Sequence, residues 1–219
     1  MRNPVRQLLL VCFAAAMTFA ASMASAERLS DSLSGIEDRW VTATYEANTR
    51  QKQRDLKQLL NDVRSLHQRY PEQPEAAAWH GVVARSYSDI KGSMRLAREA
   101  RDALLVAESI DPLTLGGQVY ANLGALYSSV SAGFGGFGSK TRGIGYFWKA
   151  LTVDPEGLDA NLLYAQAMIN QKNLPAARDA LRRARQSPES SAHLTADHAR
   201  KEAVSVLLSK VELDIAELH

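Results

Sequence analysis

The stretch LDANLLYAQAMINQKNLPAARDALRRARQ, Leu158 to Gln186, decides the fold. Apolar residues recur at helical spacing on both sides of Lys172-Asn173, without the alternation of a strand. The reading is a helix from Leu158 to Gln171, a turn at Lys172-Asn173 and a second helix from Leu174 to Gln186. Pro175 falls in the first turn of the second helix, where its missing N–H is tolerated. Ala165, Ala177 and Ala184 are small, which lets two antiparallel helices approach closely. Tyr164, Met168 and Leu181 supply bulk beside them.

Upstream, the same residue types return at one offset. Gly81 and Gly124, Ala100 and Gly143, Leu104 and Phe147, Ala107 and Ala150, and the dipeptides Asp111-Pro112 and Asp154-Pro155 are each 43 residues apart. A fixed period of about 20–50 residues marks stacked supersecondary units. Pro71, Pro74, Pro112, Pro155 and Pro188 fall where one helix has ended. Helical periodicity runs nearly throughout, and no convincing strand pattern interrupts it.

The three units resemble the tetratricopeptide repeat family. Ala165, Ala177 and Ala184 match the motif's small positions in register, with Pro188 one residue early. In the preceding unit Tyr120, Leu123, Gly124 and Tyr127 match its first helix, and Gly143, Phe147, Ala150 and Pro155 its second. The unit before that supplies Gly81, then Ala100, Leu104, Ala107 and Pro112. The resemblance implies an all-α solenoid of helix-turn-helix units. The expected organisation is a signal peptide at 1–26, a degenerate helix pair at 27–71, three repeat-like pairs at 72–188 and a C-terminal capping helix within 189–219. In the degenerate pair, Trp40 and Tyr45 are expected to face the helix Gln53 to Arg69.

One departure is specific to this chain. Ala165 and Ala177 lie 12 residues apart, whereas Gly81–Ala100 and Gly124–Gly143 lie 19 apart. Two neighbouring units therefore carry seven extra residues at the hairpin tip, about two helical turns. Either both helices lengthen or an ordered loop projects. The first insertion falls around Ser88–Met94, and the second is the glycine-rich run Ala132 to Ser139.

The N-terminus reads as a secretory signal. Arg2 and Arg6 precede an apolar run from Leu8 to Ala21, followed by Ala24-Ser25-Ala26 as a small-x-small cleavage site. A retained anchor is the rival reading, but the run is short beside the roughly 20 residues that a span needs. Cys12 is the single cysteine. It follows Val11 rather than the small residue of a lipoprotein signal, so it belongs to the apolar region. Beyond Ala26 the chain then has no disulfide, thiolate metal site or cysteine nucleophile. Export without disulfides points to the periplasm. Of the 26 lysines and arginines, Arg2 and Arg6 lie in the leader, leaving 24 against 24 acidic residues. That balance argues against nucleic acid, which selects concentrated basic surfaces.

No catalytic signature stands out. Gly133 and Gly138 have P-loop separation, but Ser139 intervenes before Lys140-Thr141 and no strand precedes the loop. His193 and His198 are five apart rather than four, and His67, His80 and His219 are scattered. The expectation is no catalytic residue, no metal and no cofactor. Phe134 and Phe137, separated by glycines, either seal the hairpin tip or stand at a ligand site beside Lys140 and Arg142.

First helices line the concave surface in the family. The resemblance therefore nominates Trp79, Arg85, Gln118 and Asn122, then Ser129, Gln166 and Asn170, with Phe134 and Phe137 at the rim. Val82 and Ser128 lie on the same helices. From Pro112 to Ser139 there are 28 residues without a charge. Their helix reads as the buried centre of the stack, with an inner face that is neutral or apolar. Only Arg85 is basic among the lining candidates, which disfavours a clamp for C-terminal carboxylates. The basic second helices read as a solvated convex face. Two functions remain open: a non-catalytic envelope scaffold that grips a protein or peptide partner, and an accessory that binds a small apolar ligand for a solute transporter. The second rests on a broad similarity to tetratricopeptide proteins associated with TRAP-type transporters, which carry elongated, irregular repeats.

Overall fold

The computed structural model describes residues 31–33, 35–133, 135–188 and 194–218. The signal-peptide reading, Cys12, Phe134, His193 and His219 lie outside them. Among the described residues every regular element is helical. They are α1 (Ile36–Val41), a π-helical turn (Thr42–Glu46), α2 (Thr49–Arg69), α3 (Pro74–Lys91), α4 (Met94–Ile110), a 3-10 turn (Thr114–Gly117), α5 (Gln118–Ser129), α6 (Lys140–Val153), α7 (Leu158–Asn170), α8 (Leu174–Gln186) and α9 (Leu194–Ala216). None of these helices is long and apolar enough to cross a membrane.

The order pairs α3 with α4, α5 with α6 and α7 with α8 as antiparallel hairpins, while α3, α5 and α7 also touch one another in a row. The described residues from Ile36 onward thus form an all-α solenoid of stacked helix pairs, closed by α9 packing on α8. Side-chain caps set several helix starts. Asn48, Ser93, Ser139 and Asn173 each accept a hydrogen bond from the N–H three residues on, filling a donor that the first turn leaves unpaired.

The 43-residue spacing has a direct physical meaning. A Cβ on Gly81 would lie 2.4 Å from Leu104 Cγ, and one on Gly124 would lie 2.9 Å from Phe147 Cδ1. The same contact between first and second helix is made twice, by Leu104 and then by Phe147. Ala107 and Ala150 are fully buried beside it. The Asp-Pro repeat is a stop signal made twice: Asp111 Oδ1 accepts from Leu113 N–H at 2.9 Å and Asp154 Oδ1 from Glu156 N–H at 3.2 Å. Proline then prevents the helix from continuing.

The two tip insertions take different forms. In the first, both helices lengthen: α3 has 18 residues and α4 has 17, against 13 each in α7 and α8. Only Gly92 and Ser93 make the turn, with Gly92 left-handed at φ 58°, a conformation that glycine adopts without strain. In the second, α5 stops at Ser129 and α6 begins at Lys140, with no regular element among the described residues between them.

In the N-terminal pair, Trp40 makes contacts far along the chain. Trp40 packs edge-on against Trp79 of α3, centroids 6.0 Å apart, and its indole N–H donates to Ser86 Oγ at 2.9 Å. Its other side meets Arg200 of α9, with the guanidinium carbon 5.4 Å from the ring. Trp40 therefore joins α3 to α9.

Candidate functional site

A chain of polar contacts crosses the inner face of the first helices. Asp89 accepts from Arg85 Nη1 at 2.6 Å, and Arg85 Nε donates to Asn122 Oδ1 at 2.6 Å. Asn122 Nδ2 donates to the backbone oxygen of Gln118 at 2.8 Å, and Gln118 Nε2 donates to Asp159 Oδ2 at 3.0 Å. Arg200 follows, with Nη2 2.7 Å from Glu37 and Nη1 3.1 Å from Asp197. Arg200 Nε stands 3.6 Å from Asp159 Oδ1. Asp159 opens α7, where the helix dipole favours a carboxylate. Burial nevertheless raises its pKa, Glu37 and Asp197 reinforce the shift, and Arg200 and Arg85 oppose it.

Above this spine lies an open hollow of about 160 Å³ between α3, α5 and α7. Of the nominated residues, Arg85, Ser128, Ser129, Gln166 and Asn170 line it, together with Asp89, Ala125, Leu163 and Ala167. Ser129, Gln166 and Asn170 are exposed. Gln118 and Asn122 belong to the spine beneath, with Asn122 buried. Trp79 is buried against Trp40 and is not available to a ligand. Asp89 was legible as the i+4 partner of Arg85. The roles of Trp40 and Arg200 were not, because neither lies in the repeat register.

The glycine loop is held tightly. Gly136 N–H donates to Gly133 O at 2.7 Å, Gly138 N–H to Ser131 O at 3.1 Å and Ser139 N–H to Tyr127 O at 2.7 Å. A Cβ on Gly136 or Gly138 would come within 1.9 or 1.8 Å of a backbone oxygen, so both positions require glycine. Phe137 folds back, edge-on to Tyr127 at 5.6 Å, and Arg101 of α4 stacks over it at 4.5 Å. Arg98 of α4 donates to the Gly135 oxygen. The loop thus ties two successive units together. The helix α5 precedes it, so the strand–loop–helix context of a phosphate loop is absent.

Two other hollows exist. One of about 340 Å³ lies between α1, the π-helical turn and α2 and is lined largely by polar side chains, Asp38, Arg39, Asp55 and Gln58 among them. One of about 280 Å³ lies on the side of the second helices, lined by Phe147, Trp148, Leu151, Pro155, Tyr164 and Arg183. Among the described residues no group of three or more His, Cys, Asp or Glu is placed to hold a metal ion.

A histidine pair links α2, α3 and α4. His80 Nε2 lies 2.9 Å from Glu99 Oε1, and its Nδ1 lies 3.0 Å from His67 Nδ1. Glu99 also takes two hydrogen bonds from Arg64, at 2.5 and 2.9 Å. An ionised Glu99 only accepts, so His80 Nε2 donates to it, and in the neutral pair His67 Nδ1–H donates to His80 Nδ1. Burial first, and His80 second, lower the His67 pKa from its ordinary 6.5. The unfolded chain therefore binds a proton at His67 more readily, and stability falls as pH drops below 6.5. The urea midpoint is expected to decline between neutral pH and about pH 5.5, with His67→Gln flattening that decline. An unaltered slope in the variant would place the dependence elsewhere.

No protein-family model matches this chain, and no curated protein matches it. Solved structures do match. One, titled "Functional Characterization of Pseudomonas Aeruginosa pilF", covers 82% of this chain and 93% of that chain at 15% identity and a TM-score of 0.32. A likeness at that level carries nothing about site or partner. The fold rests on the helix pairs themselves.

Proposed function

We propose that this protein is a non-catalytic periplasmic scaffold of tetratricopeptide type, which binds an extended segment of a protein partner in the groove across α3, α5 and α7. The observation that carries the reading is the make-up of the groove. Its floor is small, with Ala125 and Ala167, and its walls offer Ser129, Gln166 and Asn170. Side-chain amides and hydroxyls both donate and accept, so they suit the N–H and C=O groups of an extended peptide. At about 160 Å³ the hollow is below the roughly 300–1,000 Å³ of typical small-molecule sites. The centre of the inner face is filled by the chain itself, through Trp40, Gln118, Asp159 and Arg200. These features support a peptide over an apolar small ligand carried for a transporter. The leader residues Arg2, Arg6 and Ala24-Ser25-Ala26 support export.

The test is site-specific photocrosslinking in cells. A benzophenone side chain at Gln166 or Asn170 is expected to capture a polypeptide, while one at the exposed Ser109 on α4 captures none. Ser129→Trp, which fills the groove from an exposed position, should reduce capture about tenfold, equivalent to about 1.4 kcal/mol. Native mass spectrometry that finds a small molecule and no crosslinked chain would reverse the assignment in favour of the transporter accessory.

A further inference from the structure

The hollow between α6 and α8 faces away from the proposed peptide groove. Phe147, Leu151, Pro155 and Tyr164 give it an apolar lining, and Trp148 stands at its rim 66% exposed. Scattered exposed apolar residues need no explanation, but a large aromatic beside an apolar cleft marks an interaction surface. The cleft lies between cationic helices. Across Lys140 to Val153, α6 carries Lys140, Arg142 and Lys149 and no acidic residue, while α8 carries Arg178, Arg182, Arg183 and Arg185 against Asp179. Arg183 faces the cleft. Its Nε donates to the neutral amide of Asn161 at 3.0 Å, and no carboxylate pairs with it among the described residues.

The matching surface is on the same chain. Val206, Leu213 and Leu218 are 67%, 66% and 75% exposed. Val206 and Leu213 are seven apart and share one face of α9. Around Leu213 the sequence supplies Asp214 and Glu217, with Glu212 already paired to Arg182, against Lys210 alone. An exposed aromatic cleft with an unmatched guanidinium and an exposed aliphatic stripe with carboxylates are complementary in both shape class and charge. They do not meet within one chain. Arg182 of α8 pairs with Glu212 of α9 at 2.8 Å, while Arg183, the next residue, turns to the cleft. Helix α8 therefore stands between the two surfaces.

We infer that a second copy of this chain occupies the cleft: the C-terminal turns of α9, led by Leu213, insert against Trp148 and Arg183 of the other copy. Both surfaces flank α8, so the exchange can be reciprocal, and a two-fold dimer closes without leaving either surface free.

Trp148 reports the contact directly. The chain has three tryptophans, and Trp40 and Trp79 are only 3% and 5% exposed. Acrylamide quenching of the purified protein therefore reads Trp148. Quenching is expected to fall as protein concentration rises, in step with a monomer-to-dimer shift in sedimentation, and added salt should weaken the association. Leu213→Glu and Arg183→Glu should each weaken it at least tenfold. Mixing the two variants regenerates one intact helix-in-cleft contact per pair, so association should return in part, an outcome that misfolding does not produce. A chain that stays monomeric with constant quenching overturns the proposal, as does a dimer indifferent to both substitutions or a mixture that fails to associate. Protection of Trp148 in Leu213→Glu by phosphatidylglycerol vesicles would also overturn it, assigning the cleft to a membrane surface.

Discussion

Arg200→Ala is expected to destabilise the fold by about 3–5 kcal/mol, the cost of stripping one partner from a buried ionic cluster. Arg200 is 4% exposed and pairs with Glu37 and Asp197, with its Nε 3.6 Å from Asp159 Oδ1. Its removal leaves Asp159 buried with, among the described residues, only Gln118 donating to its carboxylate. Asp159 already has a raised pKa, first through burial, with Arg200 opposing. Without the guanidinium the carboxyl moves further up and the remaining charges repel. The damage extends beyond one pair, because Arg200 joins α9 to Glu37 across 163 residues and covers the Trp40 ring. In thermal unfolding the loss corresponds to a fall of roughly 6–20 °C at this chain length. Arg182→Ala is the control. Its pair with Glu212 is nearly half exposed on both sides and is worth about 0–1 kcal/mol. Arg200→Ala combined with Asp159→Asn should recover part of the loss. Equal costs for Arg200→Ala and Arg182→Ala would show that the cluster does not hold the ends together.

That cluster also marks the limit of what the sequence reveals. The pair Leu158 to Gln186 is readable because its signals are local: apolar period, turn residues, a proline at a helix start. The 43-residue spacing is readable too, but it predicts the same seven-residue insertion twice and cannot say what form each takes. Composition decides that. Around Gly92-Ser93 the flanking residues propagate helices, whereas Gly133, Gly135, Gly136 and Gly138 together cannot. The inner-face positions Arg85, Gln118 and Asn122 are nominated by the family resemblance. Their engagement with one another depends on α1 and α9, which lie outside the repeats and far away in sequence. Trp79 illustrates the same point: its register places it on an inner helix, and only the position of Trp40 shows that it is covered.

Phe147→Ala is expected to cost about 3–5 kcal/mol, toward the upper end of the range for aromatic truncation. Phe147 is fully buried, with Tyr164 edge-on at 5.4 Å. Its ring rests on Gly124, whose missing Cβ is what makes room for it. Truncation therefore opens a void that the neighbouring helix has no side chain to fill, and the cost of a cavity rises with the volume left empty. Phe147→Leu should cost much less, because the preceding unit already uses Leu104 against Gly81 in the equivalent contact. The decisive measurement is a double-mutant cycle. In the native background Gly124→Ala drives a methyl to within 2.9–3.0 Å of the Phe147 ring, and overpacking of this kind costs about 1–3 kcal/mol. In the Phe147→Ala background the same methyl enters the void and stabilises. The gain in helix propensity from glycine to alanine, about 1 kcal/mol, is common to both backgrounds and cancels. The effect of Gly124→Ala should change sign, with a coupling of about 1–3 kcal/mol. Additive effects would mean that the glycine is kept for a reason other than the ring above it, and the 43-residue spacing would lose its explanation as one inter-helix contact made twice.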